Sequence, residues 1–251
     1  MNAKDFYDGK EFTKRNLYQG SSVRNAHNFI KAVLIKSFIG RKKRILDLGC
    51  GQGGDLLKIK ICEPSLYVGI DISPQAVVAA QERASKIKLK CRNHFLCSDF
   101  TSHDWEGYPP YDVINSQFAI QFAFQTPKQA NFTIEKISRF LVEDGLFIGT
   151  VPQHPNRKTY DEINVKLPDD ERTCQEYCVD MNDFIYLCEK NNLILILNEN
   201  FTTYFNKVKS VESTLAEKML VHSDPDPNNI VFAFQKRKIN QHTVEVDKPM
   251  D

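Results

Sequence analysis

The sequence has no apolar run approaching the roughly 18 residues needed to cross a bilayer, so no membrane span is expected. It also lacks an excess of either charge: 33 Lys and Arg stand against 32 Asp and Glu, a formal net charge of +1. That balance argues against a surface that coats nucleic acid, because affinity for a phosphate backbone needs clustered cations; a compact site for one nucleotide stays open. Seven cysteines, an odd number scattered through apolar segments, supply no disulfide framework and suit a reducing compartment. Cys174 and Cys178 form the closest pair, yet further ligands are missing, so they are read as small buried hydrophobes and no metal is expected. Met1 to Gly9 carries Lys4, Asp5 and Asp8 and no apolar core, which predicts neither a secretory signal nor a transit peptide, and hence no export. No Ser-His-Asp or Cys-His signature is visible, and the six histidines are dispersed.

What is present is an ordinary globular composition, 41% hydrophobic and 26% charged, over 251 residues, enough for one large domain carrying an insert. Residues 1–22 form a polar arm broken by Gly9 and Gly20, with Phe6, Tyr7, Phe12 and Tyr18 spaced irregularly. From Arg24 to Phe38 the apolar residues Phe29, Ile30, Val33, Leu34 and Phe38 recur at helical spacing. Short apolar runs then alternate with helical patterns. Ile45–Leu48 reads as strand, Leu56–Ile61 as helix, Leu66–Ile72 as strand, Pro74–Ile87 as helix, and His94–Cys97 and Tyr111–Asn115 as strands. Lys128–Leu141 reads as helix and Leu146–Val151 as strand, an alternation that predicts βαβ units around a parallel sheet.

Residues from about 153 to 175 lapse into Pro, Asn, Asp and Glu, an insert or long loop in a domain running from 23 to 238. After it come a short strand Glu176–Val179, a helix Asn182–Lys190, a strand Leu193–Leu197, a helix Val208–Val221 and a strand Ile230–Phe234. The two late strands are expected to make an antiparallel edge on a Rossmann-like, doubly wound, otherwise parallel α/β sheet. Residues 239–251 show no periodicity and are read as a disordered tail. The basic run Arg41, Lys42, Lys43, Arg44 has two readings, a nuclear address or the solvated edge of a loop entering a buried strand.

The strongest signal is Ile45-Leu46-Asp47-Leu48-Gly49-Cys50-Gly51-Gln52-Gly53-Gly54-Asp55, a strand running into a glycine-rich turn that opens a helix. Spaced glycines alone mark only a tight turn. Here the next strand ends with Asp71 about twenty residues on, where a carboxylate can accept both hydroxyls of a ribose, so a nucleoside ligand follows. A dinucleotide would set its pyrophosphate at the helix start, where Asp55 repels an anion. Asp55, with Asp47 adding to the acidity, suits instead the amino group and sulfonium of S-adenosylmethionine, and Asp99 stands where it can accept from the adenine amine.

These residues resemble the class I methyltransferases and, within them, the mRNA cap guanine-N7 methyltransferases, over about residues 23–236. The entry Val23-Arg24-Asn25-Ala26-His27-Asn28-Phe29-Ile30-Lys31, the loop Leu46 to Leu57, the segment Tyr111 to Ala119, Gly145 to Pro152, Cys174-Gln175-Glu176-Tyr177 and Val231-Phe232-Ala233-Phe234 follow the family's order. The resemblance implies methyl transfer from S-adenosylmethionine to guanine N7 of a 5′-capped RNA with a GpppN end. It implies cofactor contacts from Lys31, Gly49, Asp55, Asp71, Asp99 and Gln117, and cap contacts from Asn28, Arg83, Phe118, Pro152 and Glu176; Phe122, standing where the family has a tyrosine, keeps an aromatic face for stacking on the cap. Other capping enzymes are the implied partners, with action in the nucleus, or in the cytoplasm where capping occurs there.

Glu176 suits guanine chemically, since one carboxylate can accept from both N1–H and the exocyclic amine. Arg83 would meet the triphosphate as a fixed charge. N7 already holds a lone pair, so no catalytic base is expected; the work is positioning, with the reacting atoms roughly 3 to 3.5 Å apart. Five positions depart from the family's pattern: His27 for an asparagine, Gln52 for a lysine, Gln121 and Phe122 for a His-Tyr pair, and Asn229 for a tyrosine. These departures fall mainly on the cap half and motivate two alternatives, a catalytically weak subunit that binds or stimulates a partner, or a methyltransferase acting on another nucleobase or a small molecule.

Overall fold

A computed structural model describes residues 2–8, 22–102, 105, 108–166 and 173–238. The chain opens with a short helix α1 (Ala3–Asp8) and a long helix α2 (Ser22–Phe38), then alternates β1 (Arg44–Leu48), α3 (Leu56–Ile61), β2 (Leu66–Asp71), α4 (Pro74–Lys86), β3 (Arg92–Cys97) and β4 (Tyr111–Gln117). A 3-10 turn (Ile120–Gln125) leads to α5 (Pro127–Phe140) and β5 (Leu141–Pro152). The hairpin β6 (Glu162–Lys166) and β7 (Thr173–Tyr177) precedes α6 (Met181–Lys190), β8 (Leu193–Asn200), α7 (Phe201–Lys209), α8 (Ser213–Lys218) and β9 (Asn229–Lys236).

Seven strands form one sheet in the order β3-β2-β1-β4-β5-β9-β8. β9 runs antiparallel to both β5 and β8, and the remaining pairs are parallel, so the expected doubly wound sheet with an antiparallel edge is what the chain forms. Successive side chains of each strand enter opposite layers. Leu46, Val68, Ile114 and Phe147 pack under α5 and α6, while their neighbours Ile45, Tyr67, Val113 and Ile148 pack under α2 and α3. β2 is buried along its whole length, which is why its sequence is a near-continuous apolar run, whereas edge strand β8 alternates buried and open positions. A third cluster joins Phe29, Ile30, Val33 and Leu34 of α2 to Phe201, Tyr204 and Phe205 of α7.

Local chemistry sets the boundaries. Ser73 and Thr126 cap α4 and α5 by accepting from Ala76 N and Gln129 N, and each is followed by a proline in the first helical turn. The expected helix Val208–Val221 is instead two helices, α7 and α8, beginning seven residues earlier in sequence at Phe201. Asn200 ends β8 and caps α7 through Thr203 N at 2.8 Å, a start signal hidden within a polar strand end. β5 likewise begins at Leu141, ahead of the expected Leu146. Its Asp144-Gly145 dipeptide reads as a turn, but is absorbed as an irregularity between the Tyr111 and Val113 pairings. The short strand expected at Glu176–Val179 lies at Thr173–Tyr177, where β6 within the insert pairs with it. The expectation of disorder for 239–251, and the arm residues 9–21, lie outside the described residues.

Candidate functional site

The order of the sheet reverses between β1 and β4, and a cavity of about 490 Å³ opens at the carboxyl ends of the strands there. Its wall combines Gly49 and Gly51 after β1, Asp71 at the end of β2, Asp99 after β3, Gln117 at the end of β4, and Phe118 and Phe122 beyond it. Six of the twelve residues expected from the sequence thus meet around one volume. Asn2, just ahead of α1, Lys4 of α1, and Gln175 and Tyr177 of β7 complete it. Phe6 of α1 is fully buried, and α1 packs against both α4 and β7.

The glycine turn is shaped for close approach. Gly49 adopts φ +68°, and a Cβ there would lie 2.4 Å from the Ala119 Cβ. Gly51, at φ +51°, faces the cavity with nothing within 4 Å of the place a Cβ would take, and it donates its N–H to Asp71 Oδ2 at 2.7 Å. The other Asp71 oxygen accepts from Ser73 N at 3.0 Å, so the carboxylate is fixed in place at the cavity wall. Asp99 Oδ1 accepts from Thr101 N at 2.8 Å and Thr101 Oγ1 at 2.7 Å. Gln129 in turn donates to Thr101 Oγ1 at 2.6 Å, which commits the hydroxyl proton to Asp99. Among the described residues no donor reaches Asp99 Oδ2. Gln117 donates to Asn115 Oδ1 at 2.7 Å and accepts from Thr150 Oγ1 at 3.1 Å. Phe118 holds φ at 56°, a left-handed conformation rare for an aromatic residue, with its N–H on Thr150 O at 3.0 Å. Strain of this kind costs on the order of 1–3 kcal/mol and tends to gather at functional walls.

The acidity expected at the mouth of the first strand is arranged differently. Asp47 is 5% exposed and accepts from Tyr67 Oη at 2.8 Å and Asn115 Nδ2 at 2.7 Å, so it braces the sheet instead of facing a ligand. Burial pushes its carboxyl up to about 7, against the lowering pull of the Tyr67 hydroxyl. Asp55 accepts from Lys31 Nζ at 3.0 Å and Lys58 Nζ at 2.6 Å, and neither Asp55 nor Lys31 lines the cavity. Burial alone would raise the Asp55 carboxyl; the two ammonium groups reverse that and hold it well below the usual carboxylate range. Its charge is thereby spent within the protein, and Asp71 and Asp99 are the carboxylates that the cavity wall presents.

Of the cap-side residues only Phe118 and Phe122 are among the described lining of the cavity; Asn28, Arg83, Pro152 and Glu176 are dispersed around it. Asn28 Oδ1 accepts from Lys58 Nζ at 3.2 Å, and Arg83, exposed in the last turn of α4, lies close enough to help depress Lys58 after burial has done most of it. Pro152 ends β5 opposite Asn229. Glu176 is 5% exposed, its Oε2 accepting from Gln121 Nε2 at 3.3 Å, and burial pushes its carboxyl up to about 7 despite that bond. His27 is engaged too. Its Nε2 accepts from Asp226 N at 3.0 Å, leaving the proton on Nδ1, and its ring stands edge-on to Phe201 at 5.1 Å. Asn229 Nδ2 donates weakly to Asp226 O at 3.5 Å, and Gln52 is half-buried in the turn. Neither Thr101 nor Gln129 is singled out by any motif in the sequence, and Lys58 only by its spacing. Lys58 was traceable, three residues beyond Asp55 on one helix; Gln129 was not, since its partner lies 28 residues away.

A family profile described as mRNA (guanine-N(7))-methyltransferase domain matches residues 4–167. The chain belongs to this family. Curated relatives of the mRNA (guanine-N(7))-methyltransferase domain include the mRNA cap guanine-N(7) methyltransferase of Cryptococcus neoformans (strain B-3501A), 34% identical over 157 residues, 59% of this chain and 21% of that protein. That of Schizosaccharomyces pombe is 27% identical over 284 residues, 91% of this chain and 79% of the relative. Over the first four such relatives the match spans only 21% to 36% of their length. Among solved structures, a putative S-adenosylmethionine dependent methyltransferase from Listeria monocytogenes superposes with TM-score 0.62 at 15% identity, covering 86% of this chain and 99% of that one. The CcbJ methyltransferase from Streptomyces caelestis gives 0.61 at 14% identity, covering 94% and 97%. At these identities the likeness is one of fold. No described helix is long and apolar enough to cross a membrane.

Proposed function

We propose that this domain transfers a methyl group from S-adenosylmethionine to guanine N7 of a 5′-capped RNA. The observation that carries the reading is the meeting of Asp71, Asp99 and the Gly49–Gly51 turn around one cavity in a chain of this family. The residues present fit the cofactor. The turn leaves no room for a Cβ at Gly49, Asp71 sets a carboxylate beside that turn at the height of a ribose, and Asp99 Oδ2, without a described protein donor, suits the adenine amine. S-adenosylmethionine supplies, when bound, a methyl group on a positively charged sulfur. The chain's part is to hold the partners in register and to set carboxylates about the cavity; guanine N7 carries its own lone pair, so no residue has to remove a proton.

Gly49, Asp71, Asp99 and Gln117 are assigned to the cofactor, with Lys31 and Asp55 bracing its margin through their mutual pair. Phe118 and Phe122 offer aromatic faces to the acceptor base, Glu176 its carboxyl to the guanine edge, Arg83 and Asn28 polar contacts toward the cap phosphates, and Pro152 part of the wall. Action in the nucleus and association with other capping enzymes belong to the same reading. Incubating the purified chain with radiolabelled S-adenosylmethionine and GpppG-capped RNA tests it. Label appearing in 7-methylguanosine is the expected result, and cofactor binding without any transfer to the cap overturns it.

A further inference from the structure

The edge of the sheet opposite the cavity carries a second feature. Three loops precede β1, β2 and β3: Lys42 N donates to Glu63 O at 3.1 Å and Ser65 N to Lys43 O at 2.9 Å, which ties the first two together, and Lys60 of α3 donates its Nζ to Ile87 O at 2.5 Å, which ties in the third. Between them lies a groove of about 660 Å³. Lys42, Lys60 and Lys90 line it, with Leu57 and Ile61 one helical turn apart on α3. Leu57 is 56% exposed and Ile61 73% exposed, because α3 spends its other apolar face, Leu56 and Ile59, on the core.

The charge here departs from the chain as a whole, whose 33 basic and 32 acidic residues nearly cancel. Among the described residues Glu63 is the groove's one carboxylate, and it is already met by Arg41 at 2.5 Å and Lys42 at 3.4 Å. Lys88 and Lys90 in the third loop form no ion pair among the described residues, and exposed Arg92 follows them at the start of β3, its Nε donating to His94 Nε2. The rim around the exposed aliphatic pair therefore keeps a net positive charge, with Lys90 forming no ion pair among the described residues. Single-stranded RNA is a poor match, since its binding grooves gain most from aromatic stacking and the described residues lining this one include no aromatic ring. A protein helix bearing acidic residues beside apolar anchors meets both halves of the surface.

We infer that this groove docks an acidic amphipathic helix of a partner protein, its apolar side chains on Leu57 and Ile61 and its carboxylates toward Lys42, Lys60 and Lys90. The groove opens at the amino ends of the strands and the cavity at their carboxyl ends, so the partner binds without covering the cavity. It also gives part of the Arg41–Arg44 run a place in the fold. Arg41 and Lys42 hold Glu63, and Arg44 holds Asp112 at 3.0 Å, which fixes the rim in shape.

The test is fluorescence anisotropy on the full chain with three labelled probes: a helical peptide of Glu with Leu at i and i+4, the same peptide with those Leu replaced by Ser, and an oligouridine RNA. The Leu peptide is expected to bind about tenfold or more tighter than the other two. The double variant Leu57→Ser/Ile61→Ser and the single variant Lys90→Glu should each cost it about tenfold, while S-adenosylhomocysteine affinity and melting temperature stay at wild-type values. Equal binding of the Ser peptide, preference for the RNA, no peptide binding, or affinity unmoved by the groove variants would overturn the inference.

Discussion

Gln121 donates its side-chain amide to Glu176 across 3.3 Å, between two side chains that are almost wholly removed from solvent. The same nitrogen also donates to Phe118 O at 3.1 Å, which fixes the orientation of the amide, because the opposite orientation would set its oxygen against a carboxylate and a carbonyl. One position that departs from the family's pattern is thereby coupled to the residue proposed to read guanine, and to the strained aromatic at the cavity wall.

That pairing carries a pH dependence. Burial raises the Glu176 carboxyl from 4.5 to about 7, so the folded chain keeps a proton that the unfolded chain has released, and folding takes one up between those values. The stability this group contributes is greatest below the window and falls as pH rises through it, by at most about 3 kcal/mol. Glu176→Gln should therefore flatten the fall in stability between about pH 5 and about pH 8, read from urea unfolding midpoints. Parallel profiles for the two proteins would refute the assignment. The variant should also lose cap methylation while keeping its affinity for S-adenosylhomocysteine.

Asp55 has the opposite sign. Its depressed carboxyl contributes stability that is present above the ordinary aspartate value and lost as pH falls through the folded one. Asp55→Asn leaves Lys31 and Lys58 facing each other without a counter-charge, and should cost about 3 kcal/mol at neutral pH. Thermal unfolding measures it; a melting temperature within a degree or so of wild type would show that the pair is not holding the turn.

The two glycines should separate. Gly49→Ala forces a methyl group against Ala119 in a left-handed backbone and should lower stability by about 2 kcal/mol along with cofactor affinity. Gly51→Ala meets no protein atom and pays only for its backbone, about 1 kcal/mol, but points its methyl into the cavity. Calorimetry with S-adenosylhomocysteine should find binding lost in a Gly51→Ala protein that still melts cooperatively. Retained affinity there would move the cofactor away from this turn.

The chain from Gln129 through Thr101 to Asp99 predicts graded losses. Asp99→Ala should weaken S-adenosylhomocysteine more than about tenfold, and Gln129→Ala by a smaller factor, because it frees the Thr101 hydroxyl without removing the carboxylate. Equal effects would mean that Gln129 touches the ligand directly.

Much of this was legible in the order of residues. The alternation of apolar runs and helical periods dictated a parallel doubly wound sheet, because each strand must present both faces to helices, and the strand-turn-helix around Gly49 marked where a nucleoside would sit. Asp71 and Asp99 were recoverable because strand ends at the switch of the sheet must point at that turn. What only the tertiary structure decided were relationships between residues far apart in sequence. Asp55 reads as an anion awaiting a ligand until Lys31 is brought beside it; Asp47 reads as acidity at the site until Tyr67 and Asn115 enclose it. Gln129, the arrival of α1 over the cavity and the break between α7 and α8 belong to the same class. Local periodicity records which face of a segment is buried, whereas the charge a side chain shows to a ligand depends on which partners the packed fold sets beside it.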